Sequence, residues 1–361
     1  MEEKKAEQEK QDIVLEAKKE EIRKPSFLEV LGRLSPGKSL RTALDNILPG
    51  RTGALIVFDC KGLKDICEGG FRVNCRFTPQ KLSELAKMDG AIILSSDSKR
   101  ILHANVLLVP DTRIPSNETG TRHMAAERTA KQTGTPVIAV SERRGNVTLF
   151  YEDKKYVLQD AESLLRRATE TLRILEKQKE ISDDIMTNLN VLEMTNLVSV
   201  GDVCSVLQRI EIIIKMMNSM KRYLIELGKE GLIIKMRIRE LFKGIEEEED
   251  LVLRDYTHRP NNVKKLLSNI SFDSLLNTES LARTIFGLSQ DENIYPKGHR
   301  ILEKLNLTER EIKSFVSSFE NLGEILNAED RELETILKQK TASFKKEFEN
   351  LKEQIMVGKK V

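Results

Sequence analysis

The spacing of apolar residues changes near residue 160, and this change divides the chain into regions with different folds. Before it, short apolar runs such as Ala54–Phe58 and Ala91–Leu94 alternate with segments of helical spacing. After it, apolar residues recur every three or four positions to about residue 250, and glycine and proline are nearly absent. The pattern predicts an α/β region followed by long amphipathic helices.

Apolar runs and helix signals outline an α/β domain over residues 27–158. Strands are expected at 54–58, 91–94, 105–109, 137–140 and 147–151. A helix is expected to begin at Thr78-Pro79, where threonine can cap and proline fits the first turn. Another is expected over residues 121–133, because Gly134 is a helix-stop signal. We therefore predict a central mixed sheet flanked by helices.

The other segments complete the predicted domain plan. Residues 1–26 are charged and low in complexity, which predicts a solvated N-terminal extension. Residues 159–255 are expected to form an all-α helical spine. Residues 256–361 are expected to form a small all-α domain of shorter helices, separated by glycine and proline.

Composition argues against several classes of protein. No apolar run approaches the length of a membrane span and the N-terminus lacks a signal-peptide core, so we expect a cytoplasmic protein without a membrane partner. Four cysteines without a Cys-x-x-Cys pair favour reduced thiols over zinc or disulfide sites. A formal net charge of +2 gives no general attraction to nucleic acid, so such binding would need a local patch.

Residues 88–128 contain the groups that predict chemistry. Asp89-Gly90 is an acidic turn before a buried strand, and Thr121-Arg122-His123 opens a predicted helix that Thr121 can cap. A carboxylate can hold a divalent metal, and a helix N-terminus with cationic side chains can bind phosphate. Together these parts predict a triphosphate site. It is neither a Walker loop nor a dinucleotide fingerprint, because both glycine patterns are absent.

The stretches around these residues resemble the DNA integrity scanning proteins, which are diadenylate cyclases. The resemblance covers nearly the whole chain, closely in the first 155 residues and loosely in the last hundred. It is clearest in Thr52-Gly53-Ala54-Leu55-Ile56-Val57, Lys87-Met88-Asp89-Gly90-Ala91, Glu118-Thr119-Gly120-Thr121-Arg122-His123 and residues 126–134.

The resemblance implies a nucleotidyltransferase that condenses two ATP molecules into cyclic di-AMP with loss of two pyrophosphates. Each 3′-hydroxyl would attack the α-phosphate of the other ATP across a face-to-face dimer. The helical spine would join tetramers into a homo-octamer, and a C-terminal module would couple the activity to DNA.

The resemblance also implies a role for each residue of the candidate site. Asp89 would bind Mg²⁺ or Mn²⁺ and help to activate the 3′-hydroxyl, and Arg122 and His123 would complete the catalytic set. Gly90 and Leu108 would line the adenosine pocket. The other expected ATP contacts are Thr121, Met124, Ala125, Ser141 and Arg144.

One departure from the family pattern lies in this site, where the family's Arg-His-Arg reads Arg122-His123-Met124. Methionine cannot donate a hydrogen bond to phosphate. Loss of one such donor costs about 2–4 kcal/mol of transition-state stabilisation. Arg128, one helical turn further on, is a candidate replacement. We therefore predict a cyclase of reduced activity, with an inactive nucleotide-binding scaffold as the alternative.

The second departure lies in the tail. Family members end in a helix-hairpin-helix module, in which glycines of the second hairpin let backbone N–H groups meet DNA phosphates. Here Lys338 and Lys340 stand at the glycine positions. Because lysine is poorly suited to positive φ, the sequence predicts a hairpin absorbed into one continuous helix and weakened DNA binding. A nucleic-acid-binding module without chemistry, and a purely structural protein, are the remaining alternatives.

Overall fold

The computed structural model describes residues 24–50 and 52–359, apart from the side chain of Gln339. The predicted N-terminal extension thus falls almost wholly outside the described residues. The described residues divide into two compact units, those within residues 1–166 together with 222–232 and those within residues 167–221 together with 233–361. The predicted domain boundaries after residues 26, 158 and 255 stay predictions.

Eight strands in the described part of the first unit form one sheet, which confirms the predicted mixed architecture. They are β1 (Ala54–Phe58), β2 (Cys67–Glu68), β3 (Phe71–Arg76), β4 (Ala91–Leu94), β5 (Arg100–Leu108), β6 (Val137–Val140), β7 (Val147–Tyr151) and β8 (Lys154–Val157). The strand order is β2-β5-β4-β1-β6-β7-β8, and β3 also pairs with β5. The β1–β4 pair is parallel, and the other pairs are antiparallel.

The two faces of the sheet are covered by different helices. These are α1 (Phe27–Arg33), α2 (Ser39–Ile47) and α3 (Pro79–Leu85) on one face and α4 (Thr121–Thr133) on the other. All residues of β1 are buried, because alternate side chains enter the two cores. Helix α4 contributes the fully buried Ala126 and Ala130, whose small side chains allow it to lie close to the sheet.

Helix α4 has the predicted limits but a different N-cap. It ends before Gly134, whose φ of 65° is the left-handed conformation expected at this stop. The prediction that Thr121 caps the helix is wrong, because Gly120 is the N-cap and no side chain accepts a capping hydrogen bond. Thr121 is instead the first helical residue. The N–H groups of the first turn therefore have no side-chain cap.

Beyond residue 160 the chain is helical, as predicted. The long helices are α5 (Ala161–Thr195) and α6 (Val200–Leu227), with 35 and 28 residues. The shorter ones are α7 (Leu232–Leu241), α8 (Ile245–Tyr256), α9 (Pro260–Asn269), α10 (Phe272–Leu275), α11 (Thr278–Ile285), α12 (His299–Glu303), α13 (Glu309–Ser318), α14 (Leu322–Asn327), α15 (Asp330–Leu337) and α16 (Thr341–Met356). Among the described residues, no helix is long and apolar enough to cross a membrane.

The predicted continuous helix near residue 338 is wrong. Helix α15 ends at Leu337, a 3₁₀ turn covers Lys338–Lys340, and α16 follows. Lys338 adopts φ 54° and ψ −117°, a conformation that favours glycine. The turn persists because Leu337 and Phe344 both belong to one core cluster, in which the Phe344 and Phe315 rings stack at 5.3 Å. Packing on both sides of the turn thus holds a lysine at positive φ.

Candidate active site

The strand registers of the first unit align the ends of four neighbouring strands. The pairs nearest these ends are Leu55 with Ala91, Ala91 with Val106, and Ala54 with Val140. If each register is continued by one or two residues beyond these pairs, four residues fall side by side, one at the end of each strand. In the order β5, β4, β1 and β6 they are Leu108, Asp89, Gly53 and Ser141. This row of strand ends is called the edge of the sheet below.

This row brings together groups that are far apart in the sequence. Neighbouring strands lie about 5 Å apart, so Asp89 and Gly53 are backbone neighbours at the edge. The pairing of β6 with β7 continues one residue further, at Ser141, whose N–H donates to the carbonyl oxygen of Asn146 at 2.9 Å. Ser141 Oγ accepts a hydrogen bond from the N–H of Arg144 at 3.2 Å, so this tight turn carries both predicted residues.

Arg122 extends from the tip of α4 to the same row. A Cβ atom built on Gly53 would lie 1.7 Å from Nη1 of Arg122 and 2.4 Å from its Cζ. The guanidinium therefore covers the backbone of Gly53, next to the position of Asp89. The structure thus brings the acidic turn and the cationic helix tip together at one edge of the sheet.

Asp89 is exposed, and its carboxylate makes no hydrogen bond or ion pair with another described residue. Nor do the described residues contain a group of three or more acidic, histidine or cysteine side chains able to hold a metal. One free carboxylate fits Mg²⁺ or Mn²⁺, since Mg²⁺ commonly takes one or two protein carboxylates and completes its shell with water and substrate phosphates. Asp89 is the residue at this edge that could hold such an ion.

The geometry of the sheet requires a glycine at position 90. Its φ is 85°, and a Cβ atom here would lie 2.8 Å from the carbonyl carbon of Asn105. Asn105 also has positive φ, and the β4–β5 register is irregular nearby. Both the backbone conformation and the close approach of β5 exclude a side chain. Gly90 therefore does not by itself indicate a ligand.

His123 is half-buried beside Phe150, with the two rings edge to face and their centroids 6.2 Å apart. Burial is the main cause that lowers the pKa of His123 below its usual 6.5. Charged neighbours act on this pKa too, three cations lowering it and one carboxylate raising it: Lys155, Arg122, Arg144 and Glu118. The imidazole is therefore neutral at pH 7 and can donate one hydrogen bond and accept another.

Two of the predicted ATP contacts belong mainly to the core. Leu108 is 7% exposed and lies in the cluster that packs under α4, and Ala125 packs against the same cluster. Thr121 is exposed at the helix tip, and Met124 is half-buried one residue beyond His123. Thr121 therefore has more free surface for a ligand than Leu108.

Arg128, the candidate replacement for a donor at position 124, serves a different purpose. Its Nε donates a hydrogen bond to the carbonyl oxygen of Ile114 at 2.9 Å. Ile114 lies in the loop between β5 and α4, which precedes the helix tip. The side chain therefore helps to fix this loop.

Side chains of α4 hold the preceding loop, and the sequence interpretation missed this role. Glu127 accepts hydrogen bonds from Ser116 Oγ at 2.6 Å and from the N–H of Asn117 at 3.1 Å. Similar bonds join Lys131 to Pro115 and Gln132 to Asp111. The i, i+4 spacing predicts the Glu127–Lys131 ion pair within the helix, but no local pattern in the sequence predicts the bonds to the loop. The loop thus reaches the helix tip in a fixed path.

Two family models match this chain. Residues 41–155 match the model described as DisA bacterial checkpoint controller nucleotide-binding. Residues 158–294 match the DisA bacterial checkpoint controller linker region. The row of strand ends and the tip of α4 lie inside the first match.

Curated relatives cover most of the chain. The DNA integrity scanning protein DisA of Clostridium acetobutylicum is 38% identical over 347 residues, which are 93% of this chain and 97% of that protein. The DisA proteins of Acetivibrio thermocellus and Clostridium kluyveri are 41% and 39% identical, over 86% and 92% of this chain and 89% and 97% of their own lengths.

Two solved structures overlap a smaller part. They are a hypothetical membrane spanning protein from Bacillus cereus and DacA from Staphylococcus aureus, 23% and 27% identical. Each match covers 34% of this chain. It covers 62% of the Bacillus cereus protein, with a TM-score of 0.31, and 85% of DacA, with a TM-score of 0.29. These scores carry no weight for the fold. The family matches and the extent of the curated relatives show that the chain belongs to the DisA bacterial checkpoint controller family and carries its nucleotide-binding domain.

Proposed function

We propose that the protein is a diadenylate cyclase, which condenses two ATP molecules into cyclic di-AMP and two pyrophosphates. One observation carries the proposal. Within a DisA-type nucleotide-binding domain, Arg122 covers Gly53, the neighbour of Asp89 in the row across the sheet edge. This places a carboxylate and a permanent cation around one exposed surface.

The reaction needs alignment and neutralisation of charge more than a covalent intermediate. In each half, a bond forms between the 3′-oxygen of one ATP and the α-phosphorus of the other. The bond from that phosphorus to the pyrophosphate leaving group breaks, and the hydroxyl proton passes to water. Arg122 and the uncapped N–H groups of α4 would neutralise phosphate charge. His123, neutral because burial lowers its pKa, would donate a hydrogen bond.

Asp89 would hold Mg²⁺ or Mn²⁺, which supplies further charge neutralisation and lowers the pKa of a bound hydroxyl. The rest of the chemistry belongs to the protein. The left-handed Gly90 and the close approach of β5 fix the turn that carries Asp89, and the loop held by Glu127 keeps the helix tip in place. Such pre-organisation is a large part of how enzymes accelerate phosphoryl transfer.

Catalysis would take place between two copies of the chain. Each copy would present one ATP at the exposed edge that carries Asp89 and Thr121, so two edges must face each other. The homo-octamer built through the spine and the coupling to DNA structure belong to the same proposal. The retained turn at Lys338 supports a remaining hairpin for DNA. Salt-dependent binding to branched and linear duplexes tests that part, and no affinity even at low salt would end it.

A catalytically weakened or inactive nucleotide-binding scaffold is the second candidate. Two observations favour it: Met124 offers no charge, and Arg128 is bonded to the carbonyl oxygen of Ile114. Incubation of the full chain with ATP and Mn²⁺, followed by quantification of cyclic di-AMP, separates the candidates. Slow production that Met124→Arg accelerates supports the cyclase. A complete absence of product that Met124→Arg restores supports the scaffold, and absence in both proteins contradicts the cyclase chemistry.

A further inference from the structure

The edge strand β8 places Lys155 on the same face of the sheet as helix α4. Lys155 is directly opposite Phe150 of β7, and opposed residues of antiparallel strands project from the same face. Phe150 belongs to the core cluster under α4. Lys154, one residue earlier, projects from the other face, where its Nζ lies 5.7 Å from the centroid of the Phe27 ring.

One ion pair and one shared neighbour connect Lys155 with the tip of α4. Its ammonium forms an ion pair with Glu118, which lies two residues before the N-cap Gly120. Its cross-strand partner Phe150 packs edge to face against the ring of His123. The side chain of Lys155 is 47% exposed. The ammonium is therefore accessible to solvent beside the helix tip.

Positive charge thus surrounds the tip of α4. Arg122 lies on the β1 side, over Gly53. Lys155 lies on the β8 side, beyond His123. Burial is the largest cause of the lowered pKa of His123; Glu118 opposes it, and Lys155, Arg122 and Arg144 add to it, which reflects the closeness of all four charges to one imidazole. Met124 contributes no charge, and Arg128 is engaged with the preceding loop.

We propose that Lys155 extends the phosphate-binding surface, so that the triphosphate of ATP lies across the tip of α4 between Arg122 and Lys155. This inference rests on the proposed function and adds a substrate-binding residue to it. Glu118 is then the internal counter-anion that a phosphate displaces. A lysine is suited to this exchange because its ammonium is a compact charge on a flexible stem.

Binding of two nucleotides to the full chain tests the proposal. The first is 3′-deoxy-ATP, which lacks the attacking hydroxyl and cannot cyclise. The second is AMP, which lacks the β- and γ-phosphates. We expect Lys155→Gln to weaken 3′-deoxy-ATP binding by about tenfold, the effect of one charge-assisted contact, and AMP binding by less than about twofold. Calorimetric titration in the presence of Mn²⁺ measures both affinities.

Two further variants separate charge from structure. Lys154→Gln removes the same charge from the opposite face, and we expect it to change neither affinity by more than about twofold. Glu118→Gln removes the competing carboxylate, so we expect 3′-deoxy-ATP to bind about two- to threefold more tightly. If the ion pair were only a structural tie, Glu118→Gln would instead weaken binding as Lys155→Gln does.

A cation added at position 124 gives a second readout. In a Met124→Arg background, we expect Lys155→Gln to weaken 3′-deoxy-ATP binding by less than about threefold, because the new guanidinium shares the phosphate charge. Equal affinity of wild type and Lys155→Gln for 3′-deoxy-ATP, or equal losses for 3′-deoxy-ATP and AMP, would overturn the proposal. Failure of the wild-type chain to bind 3′-deoxy-ATP would contradict the proposed function instead.

Discussion

The guanidinium of Arg122 lies against the Cα atom of Gly53, in the space that a side chain at position 53 would fill. The relationship joins the tip of α4 to the strand next to Asp89. It also explains why position 53 is a glycine, and the explanation is lack of space and not a positive φ. The arginine can take this position only because the residue just before β1 has no side chain.

Gly53→Ala should therefore impair the site while the fold remains. The added Cβ would lie 1.7 Å from Nη1 of Arg122, so the guanidinium must move. We expect cyclic di-AMP formation to fall by about 10²-fold, the usual effect of losing one stabilising donor. Gly50→Ala is the matched control, because its Cβ would meet its nearest neighbours at 3.4 and 3.6 Å. Equal activity of Gly53→Ala and Gly50→Ala would show that Arg122 is not used where it lies.

Met124→Arg should accelerate the reaction. Position 124 is half-buried on the first turns of α4, beside His123, and methionine donates no hydrogen bond there. We expect an increase of about 10- to 10²-fold in the rate of cyclic di-AMP formation with Mn²⁺. Met236→Arg, at an exposed methionine of α7, is a control for the added charge. An unchanged rate for Met124→Arg would mean that this position does not face the phosphates.

Glu127→Gln should loosen the loop before α4, with an effect that depends on pH. Burial raises the pKa of Glu127, but hydrogen bonds from Lys131, Ser116 and Asn117 outweigh it, so the pKa lies below the usual 4.5. Stabilisation by a carboxylate with a lowered pKa is complete above about pH 4.5 and is lost as the pH falls through the folded-state value.

We expect Glu127→Gln to lower the free energy of unfolding by about 1–3 kcal/mol at pH 7, because hydrogen bonds to a charged acceptor are lost. The difference from wild type should shrink as the pH falls towards 3. Thermal unfolding of both proteins at pH 7 and pH 4 measures this. A difference that stays constant, or grows in acid, would exclude the charged form as its source.

Lys338→Gly should stabilise the turn between α15 and α16. Lys338 has φ 54° and ψ −117°, which costs a residue with a side chain about 1–3 kcal/mol. Glycine removes most of this strain, so we expect the free energy of unfolding to rise by about 1 kcal/mol. Lys340→Gly is the control: Lys340 has φ −86°, so glycine relieves no strain there, and the loss of its 2.8 Å ion pair with Glu311 should make the variant slightly less stable. Equal effects of the two substitutions would mean that the strain is absent.

The sequence predicted best the strands that are buried on both faces. The runs at 54–58, 91–94, 137–140 and 147–151 coincide with β1, β4, β6 and β7, because a strand covered on both sides reads as a continuous apolar run. Strands β2, β3 and β8 were not predicted, since edge strands carry polar residues such as Glu68, Arg72 and Lys154. Strand β5 begins earlier than expected, at the polar Arg100.

The site was predicted in part. Its acidic turn and helix tip could be found because Asp-Gly and Thr-Arg-His are local patterns. Their convergence depends on strand order and register, which no local pattern contains. The space at Gly53 and the position of Lys155 opposite Phe150 could not be predicted either, because both depend on strand order and register. Lys338 shows the reverse case, in which packing on both sides of a turn overrides a local preference.

The joint action of Asp89 and Arg122 on ATP is tested most directly by cyclic di-AMP formation in wild type, Asp89→Asn and Arg122→Gln, with ATP and Mn²⁺. Asp89→Asn keeps the shape of the side chain, Arg122→Gln shortens it and removes its charge, and circular dichroism checks that both variants fold. We expect product from the wild type and at least a roughly 10²-fold lower rate from each folded variant. Wild-type rates in both variants would contradict a shared site for these two residues.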